Sequence, residues 1–201
     1  MKRNNNALYI LNITLRLVAV CSVIALLVGT VYYFAAPVIE ENNKKATQEA
    51  IAKLFDGKTV VYTEIENVTI PEEQLKTVDS IYEVSDDENT PLGYCVKLSP
   101  VCFKGDVDLI VAFERDGFIK GVEITSTNDE TSGIGTKVKD KSFTDKFIET
   151  SGKEISDKAD DYVIAQSTKT SKPVAEAVIA SKAIISSIIS GAPEVIAENA
   201  E

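Results

Sequence analysis

The segment Leu17–Ile39 reads LVAVCSVIALLVGTVYYFAAPVI, 23 residues without a charge. At about 1.5 Å of rise per residue, a helix of this length spans a hydrocarbon core of roughly 30 Å. Tyr32, Tyr33 and Phe34 sit near one end, where interfacial aromatics belong. A cleaved signal peptide is the rival reading. Its apolar core usually runs only about 7–15 residues, and no clean Ala-x-Ala site follows here. The run is therefore read as an uncleaved anchor.

Charge divides at the same place. Residues 1–39 carry three bases (Lys2, Arg3 and Arg16) and no acid, whereas residues 40–201 hold all 31 acids against the remaining 18 bases, a balance of −13. The positive-inside rule then puts residues 1–16 in the cytoplasm, 17–39 across the membrane and the rest outside. The whole chain, at −10 over 201 residues, offers no net positive field to phosphates, so a nucleic-acid partner is not expected.

There is no histidine. That excludes a Ser-His-Asp triad, a Cys-His pair, His-ligated haem and every His-containing zinc site. Three cysteines (Cys21, Cys95 and Cys102) cannot supply the four ligands of an iron–sulfur cluster or an all-cysteine zinc site. No metal site is expected, and any electrons must ride an organic cofactor.

The exported part reads as α+β. Glu40–Phe55 patterns as a helix leaving the membrane, with Ala46, Ala50, Ile51 and Leu54 on one stripe. Extended runs follow at Thr59–Ile65, Ile81–Val84, Tyr94–Leu98, Val107–Phe113 and Phe118–Thr125, the last two joined by the hairpin signal Asp116-Gly117. Ser142–Glu149 is a short helical candidate. The clearest element runs from about Pro173 to Ser190, with Val174, Ala177, Val178, Ser181, Ile184, Ile185 and Ile188 on one side. Pro173 fits its first turn, Thr170 or Ser171 can cap it, and Gly191 ends it. Residues 193–201 read as a frayed acidic tail beyond a domain over 40–192. Cys95 and Cys102 flank a turn between strands, which allows either a cross-hairpin disulfide or two thiols packed as small hydrophobes.

Two segments have the make-up of a site. Glu130-Thr131-Ser132-Gly133-Ile134-Gly135-Thr136-Lys137 sets two glycines among hydroxyls, so its backbone can approach a ligand closely, although a surface loop has the same composition. Ala165-Gln166-Ser167-Thr168-Lys169-Thr170-Ser171 leads into the last helix, whose N-terminus favours a phosphate; hydroxyls there also serve as ordinary caps.

In this order the two segments resemble the FMN-binding domain shared by the G subunit of Rnf-type electron-transport complexes and the C subunit of the sodium-pumping quinone reductase. Glu130, Thr131, Gly133, Gly135 and Lys137 match that family's Glu-Thr-Pro-Gly-Leu-Gly-x-Lys stretch, with Ile134 for leucine. Thr168 falls on the threonine that carries FMN, and Thr170 on the hydroxyl residue two beyond. The departures are Ala165-Gln166-Ser167 in place of Ser-Gly-Ala, Tyr162 where an aspartate is frequent (Asp161 stands one before it), Ser132 in place of proline and Asn128 in place of histidine.

The resemblance implies FMN joined through its phosphate to Thr168, with Glu130, Thr131, Gly133, Gly135 and Thr170 forming the rest of the binding site and the flavin ring near the Glu130–Gly135 loop. It implies an electron-relay subunit rather than a complete enzyme, with no catalytic acid or base. Its partners would be the other subunits of an Rnf-type membrane complex and a flavin transferase. A flavin-free assembly subunit and a stand-alone anchored flavoprotein reducing an extracellular acceptor are the alternatives.

Overall fold

The computed structural model describes residues 4–57, 59–65, 76–127 and 130–191. Two compact units divide the chain, Met1–Lys45 and Ala46–Glu201. The tail expected at 193–201 lies outside the described residues.

The first helix, α1, runs unbroken over Asn4–Leu54. The apolar run over 17–39 and the helix expected over Glu40–Phe55 form one continuous element, although the composition turns at Glu40 from apolar to charged. The backbone does not break: Pro37 is absorbed within the helix, and the pairs Glu40–Lys44 and Glu41–Lys45, both at 2.7 Å and i,i+4, favour its continuation. In its apolar stretch the Thr14 and Thr30 hydroxyls donate to the carbonyls of Ile10 and Leu26, so neither is left bare. Leu17, Val23, Leu27 and Val31 among others present their side chains outward. The helix is long and apolar enough to cross a membrane.

The second unit is built on an antiparallel five-stranded sheet in chain order: β1 (Val60–Glu64), β2 (Val78–Asp86), β3 (Pro91–Leu98), β4 (Asp108–Glu114) and β5 (Ile119–Ser126). All five strands overlap the expected runs, and β2 and β3 are longer than expected. Asp116-Gly117 makes the β4–β5 hairpin, Gly117 standing at φ 89° with its N–H on Glu114 O at 3.0 Å.

Both faces of the sheet are buried, which is why β4 is apolar at five consecutive positions rather than alternating. Leu109, Val111 and Phe113 belong to the larger core, together with Val96, Leu98, Ile119 and Val122. Ile110 and Ala112 join Cys95 and Val84 in a smaller cluster covered by Ala50, Ile51 and Phe55 from the end of α1 and the turn after it. A Cβ at Gly121 would come within 2.9 Å of Leu54 on this side, so glycine admits the helix.

The larger face is closed by α3 (Thr168–Ser190) and by α2 (Lys141–Thr144) with short 3₁₀ turns at Gly135–Lys139, Asp145–Phe147 and Ala159–Tyr162. The α3 stripe is as expected: Val174, Ala177, Val178, Ser181, Ile184 and Ile185 are buried, and Gly191 ends the helix at φ 60°. Although α3 is also long and apolar enough to cross a membrane, these buried residues make it the core helix of the domain. The helix expected over Ser142–Glu149 survives only as one α turn and one 3₁₀ turn. Glu149 is what stops it. Its carboxylate turns inward to accept the N–H of Ile119 at 3.0 Å and of Ile155 at 2.8 Å, and an ion pair with Lys182 at 2.7 Å.

Cys95 and Cys102 form no disulfide. Cys95 faces the smaller cluster while Cys102 packs against the larger core, so the strand pleat separates them.

Candidate functional site

Helix α3 begins at Thr168, five residues before the apolar periodicity becomes visible. Neither Thr170 nor Ser171 caps it; both lie inside the first turn and are buried. Ser167 occupies the cap position with no side-chain cap bond, and its carbonyl takes the N–H groups of Thr170 and Ser171 at 3.0 and 2.9 Å. The Ser171 hydroxyl donates to that same carbonyl and accepts from the Ile164 N–H, both at 3.0 Å. Pro173 is accordingly the sixth residue of the helix rather than a first-turn residue.

Thr168 and Lys169 open the helix with exposed side chains. Among the described residues, no backbone bond engages their N–H groups. They line an open groove of about 660 Å³ with Lys172, Pro173 and Glu176 on α3 and Cys102 and Phe103 on the β3–β4 loop. Lys172 pairs with Asp160 at 2.8 Å, and Lys169 Nζ sits 5.1 Å from the centre of the Phe103 ring. Burial, with the nearby charges of Glu130 and Asp106, pushes the Cys102 thiol up to about 12. It stays a neutral thiol, placed to donate weakly to the carbonyls of Pro100 at 3.5 Å and Thr170 at 3.7 Å.

The other segment stands behind this groove. Glu130 is buried, 7% exposed, and its carboxylate is fully employed: Oε1 accepts the Lys104 N–H at 3.0 Å and Oε2 the Thr170 hydroxyl at 3.1 Å. One side chain thus ties the β3–β4 loop to the first turn of α3. Gly135 lies directly against it, and a Cβ there would collide with Glu130 Oε2. That explains the second glycine of the segment. The first, Gly133, turns at φ 73° and donates its N–H to the Thr136 hydroxyl at 2.9 Å. The half-buried Thr131 closes the turn, its carbonyl accepting from Ile134 at 3.1 Å and Gly135 at 2.8 Å.

Of the six residues singled out from sequence, Glu130, Gly135 and Thr170 come together as one internal clasp. Thr168 alone among them lines the groove, and Thr131 and Gly133 shape the loop turn.

Several features were not visible in the motifs. Gln166, where the family has glycine, holds φ 69°, a left-handed backbone on a residue less suited to it than glycine. Ser167, in the family's alanine position, buries a hydroxyl with no partner among the described residues. Phe103 and Lys169 lie outside the matched motif positions, and only the exposure of a large aromatic beside the groove marks them. Tyr162, in the frequent aspartate position, stacks on Phe147 at 4.4 Å and accepts the Ser156 N–H at 2.7 Å. Asp161 accepts the Ser156 hydroxyl. Asn128 lies outside the described residues.

Comparison with curated proteins gives no match. Among solved structures, the crystal structure of Shewanella oneidensis NqrC superposes with a TM-score of 0.52 at 15% identity, covering 76% of this chain and all of that one, which is a likeness of fold. Residues 103–184, from Phe103 in the groove through the Glu130 clasp to the last core turns of α3, match the family model of the FMN-binding domain. The match spans less than half of the chain.

Proposed function

We propose that this chain is a membrane-anchored flavoprotein that relays electrons through FMN held by a phosphoester on the Thr168 hydroxyl. The observation that carries the reading is the position of Thr168. It is an exposed hydroxyl on the first residue of a 23-residue helix, lining an open groove inside the matched segment.

The donor set fits a phosphate ester. Thr168 Oγ1 supplies the ester oxygen, and the N–H groups of Thr168 and Lys169 with the helix dipole favour its negative charge by about 0.3–1 kcal/mol. The ammonium groups of Lys169 and Lys172 line the same groove. Gln166 stands at φ 69°, a left-handed conformation open to the glycine usual at this position, so the substitution does not by itself favour the flavin-free assembly subunit. The bound group supplies electron carriage. The protein holds and orients it: Glu130 fixes the two walls of the groove through Lys104 and Thr170, and Cys102 contributes an uncharged surface. No side chain needs to move a proton to a substrate.

The remaining parts of the reading belong to the same proposal. Residues 17–39 cross the membrane with 1–16 in the cytoplasm, and the domain from residue 40 faces outward. The chain works as one carrier of an Rnf-type complex that couples electron flow to ion movement, and a flavin transferase matures it. A stand-alone reductase of an extracellular acceptor would use the same site.

Co-expression with a flavin transferase, followed by a denaturing gel viewed for flavin fluorescence, tests the attachment. A fluorescent band that is lost in Thr168→Ala is expected. A dark wild-type band, with no FMN mass on the Thr168 peptide, overturns it.

A further inference from the structure

Phe103 is held in an unusual way. Its loop is fixed on both sides of the ring: Cys102 N–H bonds Gly105 O at 3.0 Å, Val101 bridges Asp106, and Lys104 N–H bonds the buried Glu130. Phe103 is nevertheless 55% exposed. A rigid loop that leaves a large apolar ring in solvent gains nothing for the fold. The ring instead lines the groove that holds Thr168, where it is the one aromatic of the lining among the described residues.

The ring's partner there is the Lys169 ammonium at 5.1 Å, from the residue next to Thr168. Such a contact is weak at an exposed site. Lys172, the other cation of the groove, is engaged by Asp160. An ammonium offered a phosphate within reach prefers the anion, since a charge-assisted hydrogen bond outweighs a wet cation–ring contact.

We propose that Phe103 is the face on which the flavin ring stacks, and that Lys169 is a placeholder which leaves that ring for the phosphate once flavin is attached. This rests on the reading of Thr168 as the attachment atom. Planar aromatic systems gain from offset stacking beyond the area they bury. Phe103 sits on the opposite wall of the groove from Thr168 and is braced by the clasp through Lys104. Lys169 thus has one role before attachment, covering the ring, and another after it, neutralising the ester.

The test uses the full-length chain co-expressed with the transferase and compares flavin emission of the native and denatured forms. Tryptophan quenches a flavin that it touches, so Phe103→Trp converts stacking into a signal. Val61→Trp, on the exposed edge strand β1 outside the groove, is the control. In each variant, the denaturing-gel band reports loading independently. The expected result is wild-type loading for both, with native emission of Phe103→Trp falling severalfold and that of Val61→Trp unchanged. Adding Lys169→Gln to Phe103→Trp is expected to leave the quenching as it was, because Lys169 has already left the ring. Loaded Phe103→Trp with wild-type emission overturns the stacking while sparing the attachment. Quenching that deepens when Lys169 is removed overturns the exchange. A dark wild-type gel band overturns the attachment and the stacking together.

Discussion

The two faces of the sheet are closed in different ways. The larger face has 21 buried hydrophobic residues among those described, and it is sealed by α3, α2 and three 3₁₀ turns. The smaller has seven, and it is sealed by one end of α1 with the turn after it. The groove, the clasp and Cys102 all belong to the first face. A site that must hold two walls in register sits where many elements interlock. The second face is covered by Ala50, Ile51 and Phe55, from the same compact unit as the sheet.

The largest expected effect falls on the interlocked face. Glu149 has a fully buried side chain, and removing it strands the N–H groups of Ile119 and Ile155 and leaves Lys182 only the longer pair with Glu154 at 4.0 Å. Glu149→Ala should cost about 3–5 kcal/mol, read as a lowered midpoint in urea unfolding followed by circular dichroism. A loss under 1 kcal/mol would show that α3 is not pinned through this pair. On the other face, Ile51→Ala should cost about 2–4 kcal/mol. Hydrogen exchange should quicken at Val84 and Ile110 before it quickens at Val111. Uniform quickening would erase the distinction between the faces.

Thr170→Val removes the donor to Glu130 Oε2 and leaves a buried carboxylate oxygen bare, at about 1–3 kcal/mol. The Lys104 amide should then exchange faster, because the clasp loosens at both ends. Gln166→Gly should raise stability by up to about 1 kcal/mol, since relief of the left-handed backbone exceeds the added freedom of the unfolded chain. An unchanged midpoint would mean the bend carries no strain.

An effect confined to alkaline pH concerns Cys102. Its thiol titrates near 12 when folded against an ordinary value near 9, so the folded state favours the neutral form. That contribution is complete below about pH 9 and is lost as the pH rises toward 12. Alkylation of Cys102 by iodoacetamide at pH 8 should be much slower in the native chain than in urea.

What was legible in the sequence was periodic or compositional. The strands, the Asp116-Gly117 hairpin and the α3 stripe each follow from which side chains must be buried. The start of α3 was not legible, because Thr168 to Lys172 carry no apolar period and are helical through Ser167 O and the Glu130–Thr170 bond. The helix over Ser142–Glu149 looked continuous because nothing local marks Glu149 as turning inward to residues 30 and 33 positions away. At the site, the motif residues were found but their division of labour was not. Whether a hydroxyl or carboxylate faces a groove or another side chain is decided by tertiary contacts, as the pairing of Glu130 with Thr170 illustrates.

The chain-order sheet also has a consequence in time. Every strand pairs with its neighbour in sequence, so loop closures are short and β1 to β5 can assemble in the order they are made. Helix α3, which seals the larger face and opens at Thr168, is the last element among the described residues. The Thr168 hydroxyl gains its helix, its groove and its clasp only after residues 168–190 have been made. A chain stalled before residue 190 presents the sheet without the groove that Thr168 lines.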